Sequence, residues 1–242
     1  MMQLLVNFLE LILRIFYRDR TYPRFFVLET VARVPYFAYT SVLHLYETMG
    51  WWRKADWLKI HFAQSWNELH HLLIVEELGG NKYWIDRFVA HSGAFVYYWI
   101  IVFTYMISPH SAYHFMQLVE ERAHHTYDKF LQEHGDELKQ QPAPKAAIDY
   151  YLKGDLYLFD EFQASHSAEP RRPKIENLYD VYVAIRDDEM EHVKTMIACQ
   201  KEDAQANFKS PHNSERIESS QSTDAEENLT QEPVDQELVE MS

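Results

Sequence analysis

Residues 66–80 read WNELHHLLIVEELGG, and this stretch decides the fold. Glu68 and His71 stand three apart, so they share one face of a helix. The helix reads from about Arg53 to Leu78, and Gly79-Gly80-Asn81 stops it. A carboxylate and an imidazole turned to one side of a long helix point to an architecture in which helices supply the chemistry.

The composition agrees. Of 242 residues only 6 are Gly, well below the usual ~7%. That disfavours sheet-and-turn folds and leaves an all-α chain. It also excludes a Walker loop and a GxGxxG phosphate cradle. With Cys199 the one cysteine, there is neither an intrachain disulfide nor a cysteine metal cage. The net charge is −14, and residues 201–242 carry −8 of it, with three Lys/Arg against eleven Asp/Glu. No basic footprint for nucleic acid is visible.

Three regions emerge along the chain. In residues 1–20, Gln3, Asn7, Glu10 and Arg14 form a narrow polar stripe, while Leu4, Leu5, Phe8, Leu9, Ile12, Leu13 and Phe16 cover the rest. This reads as an amphipathic helix in a membrane interface, with Arg14, Arg18, Arg20 and Arg24 near headgroups. Capping of a core is the other reading. The stretch lacks the basic start and small-residue cleavage site of a secretory signal. Residues 21–205 read as a helical domain. One helix from about Pro23 to Met49 is bent at Pro35. Others run from Lys82 to Ile107, from Ser111 to His134 with Gly135 closing it, and from Glu176 to Gln205. Residues 136–177 read as loops with short helices. Residues 206–242 read as a disordered acidic tail.

Phe88 to Val119 contains no Asp, Glu, Lys or Arg, and 88–107 is long enough to cross a bilayer. A crossing helix there would strand Glu120 in hydrocarbon. A packed central helix touching lipid along one face is the better expectation.

Four helices then offer Glu29; Glu68 with His71; Glu120; and Glu189 with His192. Glu, Glu-x-x-His, Glu, Glu-x-x-His is the ligand set of ferritin-like dinuclear carboxylate bundles. Carboxylates bridge two metals and balance their charge, and imidazole suits iron. Chance alone gives about one Glu-x-x-His pair at this composition, and Glu121 with His124 is a third. Helix rise sharpens the pattern. Glu29 and Glu68 lie roughly 31 and 27 Å from the Gly50 turn, and Glu120 falls within one to two turns of the same height. Ordinary explanations remain for each residue: a Glu29–Arg33 ion pair, a polar patch around Asn67 and His70, a Glu120–His124 pair, and a solvated face at Asp187–Glu191. On spacing alone the metal site and these explanations stand about even.

At these residues a resemblance enters. Leu28-Glu29-Thr30, Asn67–His71, Glu76–Asn81 and Arg186–His192 resemble the alternative oxidases. The segments 155–163 and 171–180 resemble an insert of the plastid-type plastoquinol oxidases within that family. The resemblance covers about residues 20–200. It implies a ferritin-like four-helix bundle with additional interfacial helices, monotopic on one leaflet. It implies two iron ions held by Glu29, Glu68, His71, Glu120, Glu189 and His192, and it leaves Glu121 and His124 out. Tyr127 matches a redox tyrosine, Asp188 and Asn67 match positions beside the ligands, and Arg24, Leu28 and Thr126 match the quinol region.

The implied activity is oxidation of a quinol, plastoquinol in this branch, by O2. It is cyanide-insensitive and without proton pumping, on a thylakoid or on the plasma membrane of a cyanobacterium-like host. A homodimer is left open. Twenty-eight residues precede Glu29, which reads as a prokaryotic-type, processed or truncated chain. Two other readings use the same residues: a di-iron lipid hydroxylase or desaturase, and a non-enzymatic metal-binding protein at a membrane surface.

Overall fold

The computed structural model describes residues 11, 15–18, 20–51, 55–153 and 173–201. The stripe of residues 1–10, the insert at 155–163 and the acidic tail lie outside the described residues. Among the described residues seven helices follow in order: α1 Thr21–Ala32, α2 Val34–Thr48, α3 Ala55–Glu77, α4 Trp84–Ile107, α5 Pro109–Leu138, α6 Lys145–Leu152 and α7 Leu178–Cys199. The fold is all-α. α5 packs along α7, α1 and α2 pack on α3, and α4 lies against α1 and α2. The bundle that results is of the ferritin-like kind.

Two boundaries differ from the sequence expectation. The Pro23–Met49 helix is broken at Arg33 rather than bent at Pro35, and Pro35 sits in the first turn of α2. Proline has no N–H for the carbonyl four residues back, and its ring crowds that carbonyl, so the break falls upstream of the proline itself. Gly135 does not end its helix, and α5 continues to Leu138. The reason is packing. A Cβ at Gly135 would lie 3.1 Å from Cε2 of Tyr179, so the glycine lets α7 approach α5.

α4 is less enclosed than the packed central helix expected, while the outward apolar face expected of it is present. Phe88, Phe95, Val96, Trp99, Ile100, Phe103 and Ile107 are exposed, and only Asp86, Ala90, Ile101, Val102 and Tyr105 are buried. Among the described residues it is the one helix long and apolar enough to cross a membrane. Asp86 near its start is buried in a bidentate ion pair with Arg20. The helix therefore lies at the edge of the bundle, with an apolar face turned outward.

Short helices and ends are held by specific caps. Glu77, in the last turn of α3, accepts from the backbone N–H groups of Lys145 and Ala146, each at 2.8 Å. A carboxylate on the first N–H groups of α6 satisfies orphan donors and meets the positive end of the helix dipole. α7 starts with a capping box between Asn177 and Asp180.

The core is rich in tyrosine. Tyr36, Tyr39, Tyr105, Tyr113, Tyr127, Tyr150, Tyr151 and Tyr182 are all fully buried. A buried phenol is favourable only when its hydroxyl finds a partner, and seven of the eight hydroxyls do.

The Gly79-Gly80 stop has two different causes. Gly79 has φ +85° and open space around it. Gly80 sits where a Cβ would come within 2.8 Å of the Tyr22 carbonyl oxygen and 2.9 Å of Phe26 Cβ, both on α1. Gly79→Ala should cost about 1 kcal/mol through backbone strain. Gly80→Ala should cost about 2–3 kcal/mol through forced displacement of α1, lowering Tm by about 5–10 °C. Thermal melts of the two variants followed by circular dichroism check the order. Equal losses would contradict it.

Candidate metal centre

Four helices bring six side chains to one buried point. α1 supplies Glu29, α3 supplies Glu68 and His71, α5 supplies Glu120, and α7 supplies Glu189 and His192, none more than 2% exposed. They form two ligand-like groups with atoms within 4.8 Å of one another: Glu29, Glu68, His71 and Glu189; and Glu68, Glu120, Glu189 and His192. Glu68 and Glu189 belong to both. His71 Nδ1 lies 3.3 Å from Glu189 Oε1, 3.7 Å from Glu29 Oε2 and 3.9 Å from Glu68 Oε2. His192 Nδ1 lies 2.8 Å from Glu68 Oε1, 3.6 Å from Glu120 Oε1 and 4.0 Å from Glu189 Oε2.

The site fits a pair of cations. Glu29 Oε2, Glu68 Oε2, Glu120 Oε2 and Glu189 Oε2 are buried and accept no hydrogen bond. Leaving such oxygens unsatisfied is costly, and they converge. Burial, helped by the charge of Glu68, pushes Glu29 up to about 8. Burial and the neighbouring carboxylates hold Glu189 well above the ordinary range. Burial opposes charge on His192, yet the neighbouring Glu120 and Glu68 carboxylates outweigh that and carry it up to about 9. These groups hold protons where two divalent cations would neutralise four carboxylates outright.

The neighbours hold the ring and carboxylate orientations. Asp188 Oδ2 accepts from Asn67 Nδ2 at 2.8 Å, from Tyr151 Oη at 2.9 Å and from His71 Nε2 at 3.1 Å. With its hydrogen on Nε2, His71 turns Nδ1 to the cage. Asn67 Nδ2 also reaches Tyr150 Oη at 2.7 Å. Tyr127 donates to Glu29, and Tyr36 donates to Glu120. Glu29 and Glu120 thus turn to tyrosines rather than to Arg33 and His124. Glu121 is exposed and bonds Gln117, so the third Glu-x-x-His pair stands apart.

Sequence reasoning missed Tyr36, Tyr150 and Tyr151. Tyr36 had little signal, because its partner Glu120 lies 84 residues along the chain on another helix. Tyr150 and Tyr151 had none, because α6 comes from a stretch read only as loops with short helices.

A cleft of about 520 Å³ opens beside the cage between α1 and α5, lined among others by Tyr17, Arg24, Phe25, Arg122, Thr126 and Phe130. Two of the expected quinol-region residues, Arg24 and Thr126, share this wall. Leu28 lies outside it, half-buried against the core. Phe25 stacks on Tyr127 with ring centroids 4.8 Å apart. One phenyl ring therefore separates the cleft from the tyrosine that bonds Glu29.

Residues 2–201 match the family described as Alternative oxidase. The chain is 64% identical to ubiquinol oxidase 4, chloroplastic/chromoplastic, of Arabidopsis thaliana, over 83% of this chain and 56% of that protein. It is 30% identical to ubiquinol oxidase, mitochondrial, of Mangifera indica, over 74% of this chain and 50% of that protein. With ubiquinol oxidase 2, mitochondrial, of Glycine max it shares 29% over 77% of this chain and 50% of that protein. The chain spans about half the length of the curated relatives it matches.

Two outcomes follow from the cage. Asp188→Asn removes the charge that orients His71 and should weaken metal binding about 10–100-fold, as read by titration with Mn(II) or Fe(II). Unchanged affinity would remove Asp188 from the site. The metal-free protein should also lose stability as pH rises. Glu29 keeps its proton in the fold up to about 8 against an ordinary 4.5, and His192 up to about 9 against 6.5. The folded state thus binds more protons than the unfolded one across this window, and stability falls with pH. It is fullest below about 4.5 and lost through about 8 to 9. Saturating metal should flatten that slope, as Tm measured from pH 5 to 9 with chelator and with Mn(II) would display.

Proposed function

The chain belongs to the alternative oxidase family, and from that premise we propose that it is a membrane-associated quinol oxidase that reduces O2 to water at a di-iron carboxylate centre. The observation that carries the reading is the pair of buried four-residue groups sharing Glu68 and Glu189, with a cleft one aromatic ring away. Glu29 and His71 would complete the holding of one iron, Glu120 and His192 the other, with Glu68 and Glu189 common to both. When bound, the two irons supply the redox chemistry that binds O2 and passes it the four electrons of two quinols.

The protein's own groups divide the rest of the work. Arg24 and Thr126 line the cleft where the quinol head docks. Phe25 excludes water between that head and the cage. Tyr127 holds its proton at Oη against Glu29, and burial beside that carboxylate pushes its pKa well above the ordinary phenol value. It is therefore a neutral donor of one proton and one electron in line between cleft and cage. Asp188, Asn67 and Tyr151 hold His71 still while charge at the centre changes. Four carboxylates keep the net charge near zero with two divalent ions, which lowers the cost of switching oxidation state in a dry site.

The exposed apolar face of α4 supports seating on a membrane. The reading is a monotopic one, with the quinol entering from a single leaflet and no protons carried across. Identity is higher to the chloroplast protein than to the mitochondrial ones, and residues 155–163 and 171–180 resemble the plastid-type insert. The insert supports plastoquinol as the substrate, and both support a plastid-type, thylakoid-like location.

The test is quinol-dependent O2 uptake by the purified, iron-loaded protein with cyanide present. Uptake that survives cyanide, vanishes in Glu189→Ala and falls at least tenfold in Tyr127→Phe with iron retained is the expected result. An oxidised lipid among the products would favour the hydroxylase reading. Two bound irons with no electron flow from quinol would overturn the oxidase.

A further inference from the structure

Beyond the cage, on the side away from Tyr127, lies a cluster of oxidisable rings that the chemistry above does not use. Tyr36 meets His192 edge-on at 5.2 Å between centroids. Tyr39 lies 6.4 Å from Tyr36. Tyr113 lies 5.1 Å from Tyr39, and Trp57 lies 5.5 Å from Tyr113. All four are buried. Three hydrogen bonds run through the cluster: Tyr105 Oη to Tyr113 Oη at 2.7 Å, Tyr113 Oη to His61 Nε2 at 2.9 Å, and His61 Nδ1 to Gln64 Oε1 at 3.0 Å.

The direction of these bonds follows from the end of the chain. The Gln64 oxygen accepts only, so His61 carries its hydrogen on Nδ1 and presents a lone pair at Nε2. Tyr113 therefore donates to His61, and Tyr105 donates to Tyr113. Burial pushes His61 down to about 4, so it stays a neutral base. A phenol in a dry interior gives up an electron readily only if its proton has somewhere to go. Tyr39 donates to the Ala112 carbonyl, which cannot take a proton. Tyr105 donates to another phenol. Tyr113 alone in this cluster faces a nitrogen base.

We propose that Tyr113 and His61 form a redox pair that serves as a one-electron sink for the metal centre, through the rings of Tyr39 and Tyr36. The inference rests on the di-iron reading. O2 needs four electrons and a quinol brings two, so an oxidised centre can wait without a donor. In that interval the O–H bond of Tyr113 breaks. Its proton forms a bond to His61 Nε2, and its electron passes inward to reduce the oxidised centre by one. A neutral tyrosyl radical and a cationic His61 remain. A one-electron donor of the ascorbate or thiol class then returns an electron to Tyr113, and His61 returns the proton. The pair spares Glu29, Glu68 and their neighbours from oxidation at the cage itself.

The experiment uses the full chain carrying Tyr127→Phe, so that no radical forms on that residue. Iron content is measured first. The reduced protein is then mixed with hydrogen peroxide, without quinol, frozen within milliseconds and read by electron paramagnetic resonance. A tyrosyl signal is expected, coupled to an exchangeable proton and altered when histidine is labelled with ¹⁵N. Tyr113→Phe should lower its yield at least tenfold with iron content unchanged. No signal, a signal unaffected by Tyr113→Phe, or one blind to the histidine label would each overturn the pair. The labelling arm needs no substitution at the pair, so it decides even where Tyr113→Phe does not fold. Failure to hold iron would overturn the di-iron reading as well, whereas iron bound without the radical overturns this inference alone.

Discussion

Four carboxylates at the centre of a small bundle is the constraint on which the rest of the structure depends. A single unpaired buried charge is costly, and four facing one another are worse. The fold answers at several levels. Tyr127 and Tyr36 each donate to one outer carboxylate, Glu29 and Glu120. His71 and His192 face the shared pair, Glu68 and Glu189. Asp188 lies one layer back, and three donors satisfy it. What remains uncompensated is a set of oxygens directed at one another, an arrangement that makes sense around cations.

A partition of labour between the two sides of the cage follows. On one side Phe25 and Tyr127 form a thin aromatic wall before a cleft with Arg24 and Thr126 on it. On the other side Tyr36 leads into buried tyrosines and His61. The two outer carboxylates have matching tyrosine partners, yet those tyrosines sit in unlike surroundings. One is a ring away from a place where a small molecule can dock. The other is packed in a closed interior.

Much of this was legible in the sequence because helices impose a fixed rise and period. Glu29, Glu68 and Glu120 could be placed near one height by counting along the helices, the two Glu-x-x-His spacings pointed to His71 and to Glu189 with His192, and the structure brings those six side chains together. Counting does not reach interactions that depend on side-chain volume between helices. Gly135 read as a stop, because a glycine in a helix is expensive unless a neighbour needs its space, and Tyr179 comes from far along the chain. The composition of α4 read as a packed helix with one lipid-touching face, and how wide that face is was not legible. Apolar residues exposed on one side look the same in sequence as apolar residues packed on both. Tyr36 was passed over because its partner, Glu120, lies 84 residues away.

Glu77 shows how the periphery reaches the centre. It stands at the end of α3 and anchors the start of α6. α6 carries Tyr150 and Tyr151, whose hydroxyls touch Asn67 and Asp188. Those two residues border His71 and Glu68, back on α3. The last three turns of α3 and the first two of α6 therefore close a circuit, in which one helix braces its own ligands through a second helix. A circuit of this kind tolerates substitution far better than a change of length. One residue inserted between His71 and Glu77 would rotate the anchor by about 100°, and no local adjustment could keep both the tether and the ligands in place. The number of residues between His71 and Glu77 is accordingly more constrained than the identity of those in between.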